Sequence, residues 1–324
     1  MSTERGQRRQ GLTPTPSLLR QALWILAVAA VYYGTGLLGL LQRVVVEGAQ
    51  VTPLWLPTGI AVTALLWRGP RIWPGLALGT YLVIRTIAPV APSGIIIIAG
   101  NTLAPLLAYA MLRRAGFRPE LDRLRDGLAL VFLGGLLPML LSATVGALVL
   151  ALTGSLPWDG FWPVWAAWWA GDAMGVLVGI PLLLALPRMR LPSDLYRTAE
   201  ALALLVVTVL VTLLVTRSTL SLLFLVFPLL IWAAVRFQLV GAAPCALLIS
   251  VATVSAATDR AGPFADHGIL EVMANLMALN GSVALTALLL SALVTEQNNV
   301  RVQIQQACED LAELVNRLSP RARG

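Results

Sequence analysis

The chain has 324 residues, 58% of them hydrophobic and only 12% charged, with a formal net charge of +7 and a mean hydropathy of +0.80. A soluble globular chain is about a quarter charged, so half that fraction spread along apolar runs excludes an ordinary soluble domain and points to a polytopic membrane protein. At roughly 20 residues per span there is room for an all-α bundle of about eight to ten transmembrane helices, and none for a separate soluble catalytic domain.

All 23 basic residues are arginine. They stand in short turns between apolar runs rather than on one folded basic face, so the pI near 10.4 reflects the positive-inside bias and implies no nucleic-acid partner. Cys245 falls in an apolar run and Cys308 in the polar tail. Two such different environments support neither a disulfide framework nor a cysteine metal site.

In chain order, residues 1–20 form a basic N-terminal segment. The run 21–41 lacks a cleavage site and is too long for a signal-peptide core, so it counts as the first span. Further spans are expected at 51–67, 72–88, 94–112, 127–153, 163–186, 198–215, 220–235, 238–257 and 269–294, ten in all. The third, seventh and eighth runs are short enough to be re-entrant or strongly tilted. Alternating sides from a cytoplasmic N-terminus puts 19 arginines inside and three outside (Arg43, Arg217 and Arg260), with Arg85 within a span. Both termini are therefore expected to be cytoplasmic.

The second run opens VTPLWLPTGI, in which Pro53 and Pro57 precede Gly59. Prolines at that spacing predict a kinked, partly open helix entrance holding Trp55 and Pro57, tolerated only beside protein or a cavity. Arg85 lies one to two turns from the outer end of the third run and can reach inward or snorkel out to headgroups. Asn101, in GNTL, sits at a similar depth. The polar loop 113–126 reads as a topology anchor, with Pro119 and the acids after it suggesting a short interfacial helix. Pro138, with Ser142 and Thr144 beyond it, marks a second possible helix break.

The sixth run carries the sharpest signal. Trp165, Trp168, Trp169 and Asp172 follow i, i+3, i+4, i+7 spacing and share one helical face, while Gly171, Gly175 and Gly179 form a GxxxGxxxG seam beside it. Asp172 would lie near the bilayer centre, where a short carboxylate cannot snorkel out. Either it is merely paired within the bundle, or it and the tryptophans receive a cationic or polar ligand. Trp158 and Trp162 fit the interfacial aromatic belt instead. Expected partners for Asp172 are Arg85, Asn101 or a polar stripe of the last span, Glu271, Asn275 and Ser282.

The lone histidine, His267, cannot build a histidine metal site, and no kinase, cyclase or nucleotide-binding motif occurs. Catalysis by this chain alone, a cofactor and a bound metal are not expected. After Thr295 the tail carries Val300, Ile304, Ala307, Leu311, Leu314 and Leu318 at alternating steps of four and three, a coiled-coil seam suited to a homodimer. A surface amphipathic helix is the alternative.

Several stretches together resemble the MASE1 family, the membrane-associated sensor domain of bacterial sensor histidine kinases and diguanylate cyclases or phosphodiesterases. They are PLWLPTGIAVTALLWRGPRIWPGLALG (53–79), GNTLAPLLAYAMLRRAGF (100–117), LDRLRDGLALVFLGGLLPMLLSATVG (121–146), FWPVWAAWWAGDAMGVLVGIPLLLAL (161–186) and FPLLIWAAVRFQLVGAA (227–243). The resemblance implies a sensory input in the bacterial inner membrane, coupled to a cytoplasmic output domain or partner. It also picks out Trp55, Pro57, Gly59, Asn101, Ser142, Trp168, Trp169 and Asp172. After GNTL this chain has Ala104 and Pro105, where relatives tend to carry an acid, so any ligand chemistry of that acid is not transferred. The expected organisation is a cytoplasmic segment 1–20, a transmembrane sensor 21–294 and a signalling helix and tail 295–324. No output domain lies within these residues, which implies a stand-alone sensor or a piece of a longer protein. A small-solute transporter and an intramembrane enzyme are the rival readings. The first lacks an internal repeat and the second lacks a second catalytic group.

Overall fold

The computed structural model describes residues 16–46, 49–89, 91–189, 194–218, 220 and 222–318. Most of the basic segment 1–20 and the end of the tail lie outside them. The fold is an all-α bundle with one small hairpin. Its elements are α1 (Pro16–Leu40), β1 (Val44–Val46), β2 (Ala49–Val51), α2 (Leu56–Arg68), α3 (Trp73–Ile87), α4 (Pro92–Arg114), α5 (Leu124–Ala129), a π-helical stretch (Leu130–Leu136), α6 (Leu137–Leu152), α7 (Phe161–Ala185), α8 (Leu195–Arg217), α9 (Val226–Thr258) and α10 (Ile269–Leu318). Among the described residues seven helical stretches are long and apolar enough to cross a membrane, and the protein is a multi-pass membrane protein.

Each of the ten apolar runs has a helical counterpart, but two readings of them change. The run 51–67 is helical only from Leu56, because Pro53 and the strand before it keep the chain extended and Pro57 starts the helix. The runs 220–235 and 238–257 are the two arms of α9. At Gln238 the backbone leaves helical geometry (φ 53°, ψ −143°), and a Cβ on Gly241 would lie only 3.3 Å from the Ala233 carbonyl oxygen. Eight residues of straight helix would separate those groups by about 12 Å, so the chain folds back on itself. Arg236 marks the turn by pairing with Glu200 at 2.9 Å, near the start of α8. The seventh run is no short re-entrant piece, since α8 spans 23 residues.

Helix α7 is the centre of the bundle. Its span is 78% buried by protein, against 22% for α1 and for α8, whose outward leucines, such as Leu23 and Leu210, suit lipid chains. Helices α2, α6, α9 and α10 all pack against α7. At one end, Trp158 and Trp162 are exposed; at the other, Trp67 and Trp73 are, as two interfacial belts require. Arg68 lies over the ring of Trp24 at 3.7 Å.

The loop 115–123 contains no helix, contrary to the interfacial helix expected there. Side chain to backbone bonds satisfy it instead: Arg125 donates to the Ala115 carbonyl, and Arg188 to that of Glu120, each at 2.7 Å. Arg123 donates to both oxygens of the buried Asp126, and those hydrogen bonds raise the guanidinium pKa above its ordinary value.

The glycine seam sets how closely elements approach α7. A Cβ on Gly171 would strike the Thr52 carbonyl, one on Gly175 the Trp55 carbonyl, and one on Gly59 the Gly175 carbonyl. The extended segment 52–55 therefore lies directly on the α7 backbone, and the Trp55 amide donates to the Gly171 carbonyl at 2.9 Å. Non-helical backbone at membrane depth survives only when covered by protein in this way. Because backbone cannot yield as a flexible side chain does, Gly175→Ala is expected to lower stability by about 3 kcal/mol. Gly34→Ala on α1, where nothing lies within 4 Å of the added methyl, should instead gain about 0.5–1 kcal/mol of helix stability. Thermal unfolding of both variants in one detergent checks the contrast.

Candidate functional site

Where segment 52–55, α1, α3, α4 and α7 converge, a cavity of about 530 Å³ opens toward the arginine-poor end of the bundle. Tyr32, Trp55 and Trp168 give it aromatic walls; Thr52, Thr80 and Asn101 add polar groups, and Asp172 lies in its lining. The Asp172 side chain is interior, 1% exposed.

Three elements hold that carboxylate. Thr58, in the first turn of α2, donates its hydroxyl to Oδ1 at 2.6 Å. Ser142 on α6 donates to Oδ2. Trp168, one turn back on α7, lies beside it, with its ring stacked over the bare backbone of Gly146. Buried Tyr32 lies against Thr80 and Trp55 at the edge of the same group. Among the described residues no arginine pairs with Asp172, whose carboxyl group faces the Thr58 and Ser142 hydroxyls and the Trp168 edge. Such a carboxylate can accept a hydrogen bond or a cation from a molecule entering the cavity.

The residues singled out from the sequence divide into three groups. Trp55, Asn101, Trp168 and Asp172 line the cavity, while Ser142 and buried Pro57 support it from behind. Trp165 and Trp169 belong to another surface: they stack on each other at 6.1 Å and donate to Thr144 and to the Leu136 carbonyl at the end of the π-helical stretch. The remaining expected partners point away. Arg85 is exposed and donates to the Tyr81 hydroxyl at 3.1 Å. Glu271 and Asn275 lie on the exposed face of α10, and Glu271 accepts from the Gly268 amide instead. Among the described residues of that helix the buried polar ones are Asn280 and Ser291, about half a helical turn round the axis from the expected stripe.

Sequence reasoning missed Thr58 and Tyr32. Thr58 stands between two residues that were chosen, Pro57 and Gly59, and a hydroxyl in the first turn of a proline-started helix was the available signal. A third missed residue is Glu296 on α10, whose Oε2 accepts from the Leu124 amide at 2.8 Å. It satisfies the open amide end of the helical stretch 124–152 that carries Ser142.

The profile of the MASE1 family matches residues 24–298. The chain belongs to the MASE1 family. MASE1 domains are membrane sensory domains, and the bundle is a sensory module of that kind. Over 206 residues it is 32% identical to the probable diguanylate cyclase DgcE of Escherichia coli (strain K12), a match covering 58% of this chain and 17% of that protein. The chain thus corresponds to less than a fifth of the length of that relative. No solved structure matches it.

The MASE1 site makes one stability prediction. Thr58→Val removes a donor to a buried carboxylate without changing shape much and should cost about 1.5–3 kcal/mol. Thr63→Val, whose hydroxyl only bonds back to the Gly59 carbonyl of its own helix, should cost clearly less. Equal melting temperatures for the two variants would remove Thr58 from the group that holds Asp172.

Proposed function

We propose that this MASE1 bundle is the input module of a bacterial inner-membrane signalling system, with both termini cytoplasmic. It takes a small amphipathic ligand into the cavity over Asp172 and passes the signal along α10 to an output domain or partner. The observation that carries the reading is a buried carboxylate lining a largely apolar cavity and held only by neutral donors. The chemistry that complements it is an apolar body with an amine or another strong hydrogen-bond donor, and the aromatic walls favour a cation further.

The route outward has physical support at each step. Ser142 ties the carboxylate to the stretch 124–152, and Glu296 ties the first turn of that stretch to α10. Helix α10 is 50 residues long, about 75 Å, whereas a bilayer core is about 30 Å thick. Its last turns therefore stand clear of the membrane as one rod. On that rod Val300, Ile304, Ala307, Leu311 and Leu314 are exposed in the single chain, an apolar seam that a second copy would cover. Leu318 ends the same helix, its side chain outside the described residues. On this reading residues 21–294 sense and 295–324 transmit.

Two measurements test the proposal. In nanodiscs, medium-chain primary amines are expected to raise the melting temperature of the wild-type chain, by an amount equivalent to about 2.7 kcal/mol at a hundredfold excess over Kd. Asp172→Asn should lose this response, and carboxylic acids of equal length should not give it. A response to acids as strong as to amines, or one that survives Asp172→Asn, would overturn the ligand assignment. Separately, Leu311→Cys should crosslink in native membranes. If it does not, while a cysteine pair engineered within one chain does, the dimeric output rod is wrong.

A further inference from the structure

The loops at the arginine-poor end of the bundle hold three arginines, Arg43, Arg217 and Arg260, and Arg85 stands in the last turn of α3 at the same end. Two of them, Arg43 and Arg260, line one pocket of about 300 Å³ together with His267, the only histidine of the chain. The rest of its lining is mostly apolar, with Val45 from β1 and Met273 from the first turns of α10. Among the described residues no carboxylate lines the pocket. Glu271, the nearest acid on α10, is engaged by the Gly268 amide, and among the described residues neither arginine makes an ion pair.

Arg260 also occupies a backbone position unsuited to it. It follows Asp259, the cap of α9, with φ 51°, and the Ala261 amide bonds back to the Ala256 carbonyl while that of Arg260 bonds to Ala257. That is the Schellman ending, in which the left-handed residue is usually glycine and sometimes asparagine. An arginine there retains local strain at a position that lines the pocket, a pattern associated with functional positions.

From this convergence we propose that the pocket binds the phosphate group of an anionic amphiphile, the phosphate between Arg43 and Arg260 and the adjoining apolar part against Val45 and Met273. Two guanidiniums on a phosphate give directional, charge-assisted hydrogen bonds, and the apolar lining is what an acyl or glycerol portion of a lipid needs. The site is separate from the Asp172 cavity and does not depend on what that cavity binds. Its position gives it a mechanical consequence. Strand β1 forms one wall and pairs with β2, whose Gln50 and Val51 line the Asp172 cavity, while the opposite wall belongs to the start of α10. An occupied site clamps the hairpin to the helix that leaves the membrane.

The experiment follows phenylglyoxal modification of Arg43, Arg260 and Arg217 by peptide mass spectrometry, using the full chain in nanodiscs. One arm compares phosphatidylcholine with phosphatidylcholine plus phosphatidylglycerol; the other adds inorganic phosphate to phosphatidylcholine alone. Phosphatidylglycerol is expected to protect Arg43 and Arg260 while Arg217, outside the pocket, reacts as before. Protection by lipid alone identifies a headgroup as the source, and protection by inorganic phosphate as well admits a free anion; either supports the site. R260Q should weaken protection of Arg43 at least about tenfold, and R217Q should leave it unchanged. Absence of protection in both arms, or equal protection of all three arginines, would overturn the proposal, and the wild-type data decide this even if R260Q does not fold.

Discussion

Contact of bare backbone with bare backbone along one side of α7 is the constraint on which the rest of the structure depends. Gly171, Gly175 and Gly59 leave no room for a methyl group where the chain from Thr52 to Leu56 crosses α7. Lipid tails are as apolar as leucine, so burying apolar surface does little to hold helices together inside a bilayer, and close packing with interhelical hydrogen bonds must do it. Here the same close packing also shelters a non-helical segment at membrane depth. The segment delivers Trp55 to the cavity wall and starts α2 so that the Thr58 hydroxyl meets Asp172.

Asp172 then organises the middle of the bundle. A carboxylate taken out of water and left without donors is strongly unfavourable, and two hydroxyls plus a neighbouring indole lessen that penalty without cancelling the charge. An arginine partner would have neutralised the site. The hydroxyl arrangement leaves the carboxyl group in the cavity lining and links α2, α6 and α7 through one group. The π-helical stretch before Pro138, with the Trp169 indole on the Leu136 carbonyl, is the local irregularity by which the chain reaches Ser142.

The second half of the chain solves a different problem. The fold-back at Gln238 makes α9 a hairpin whose arms pack on α8 and α10, and Arg236 is satisfied there by Glu200. That scaffold braces α10 along its membrane portion, and its last described turns are exposed. A rigid rod standing out of a braced bundle is suited to carrying a small displacement a long way, because a packed helix moves as a unit.

The sequence by itself determined the class of protein, the ten apolar runs, the MASE1 resemblance and the interior position of Asp172. All of these follow from one-dimensional quantities: length of apolar run, placement of arginine, spacing of small residues. The continuity of α10 with its tail was legible for the same reason, since no proline or glycine interrupts it after Gly281. The partners of Asp172 were not legible. Thr58 lies 114 positions away and Ser142 lies 30, and which hydroxyl arrives depends on rotations of α2 and α6 that no local pattern encodes. Arg85 and Asn275 were expected in the site because depth along a helix can be counted from sequence. Only the tertiary structure decided the direction each side chain faces around its helix axis, because packing against neighbours sets that rotation and depth does not.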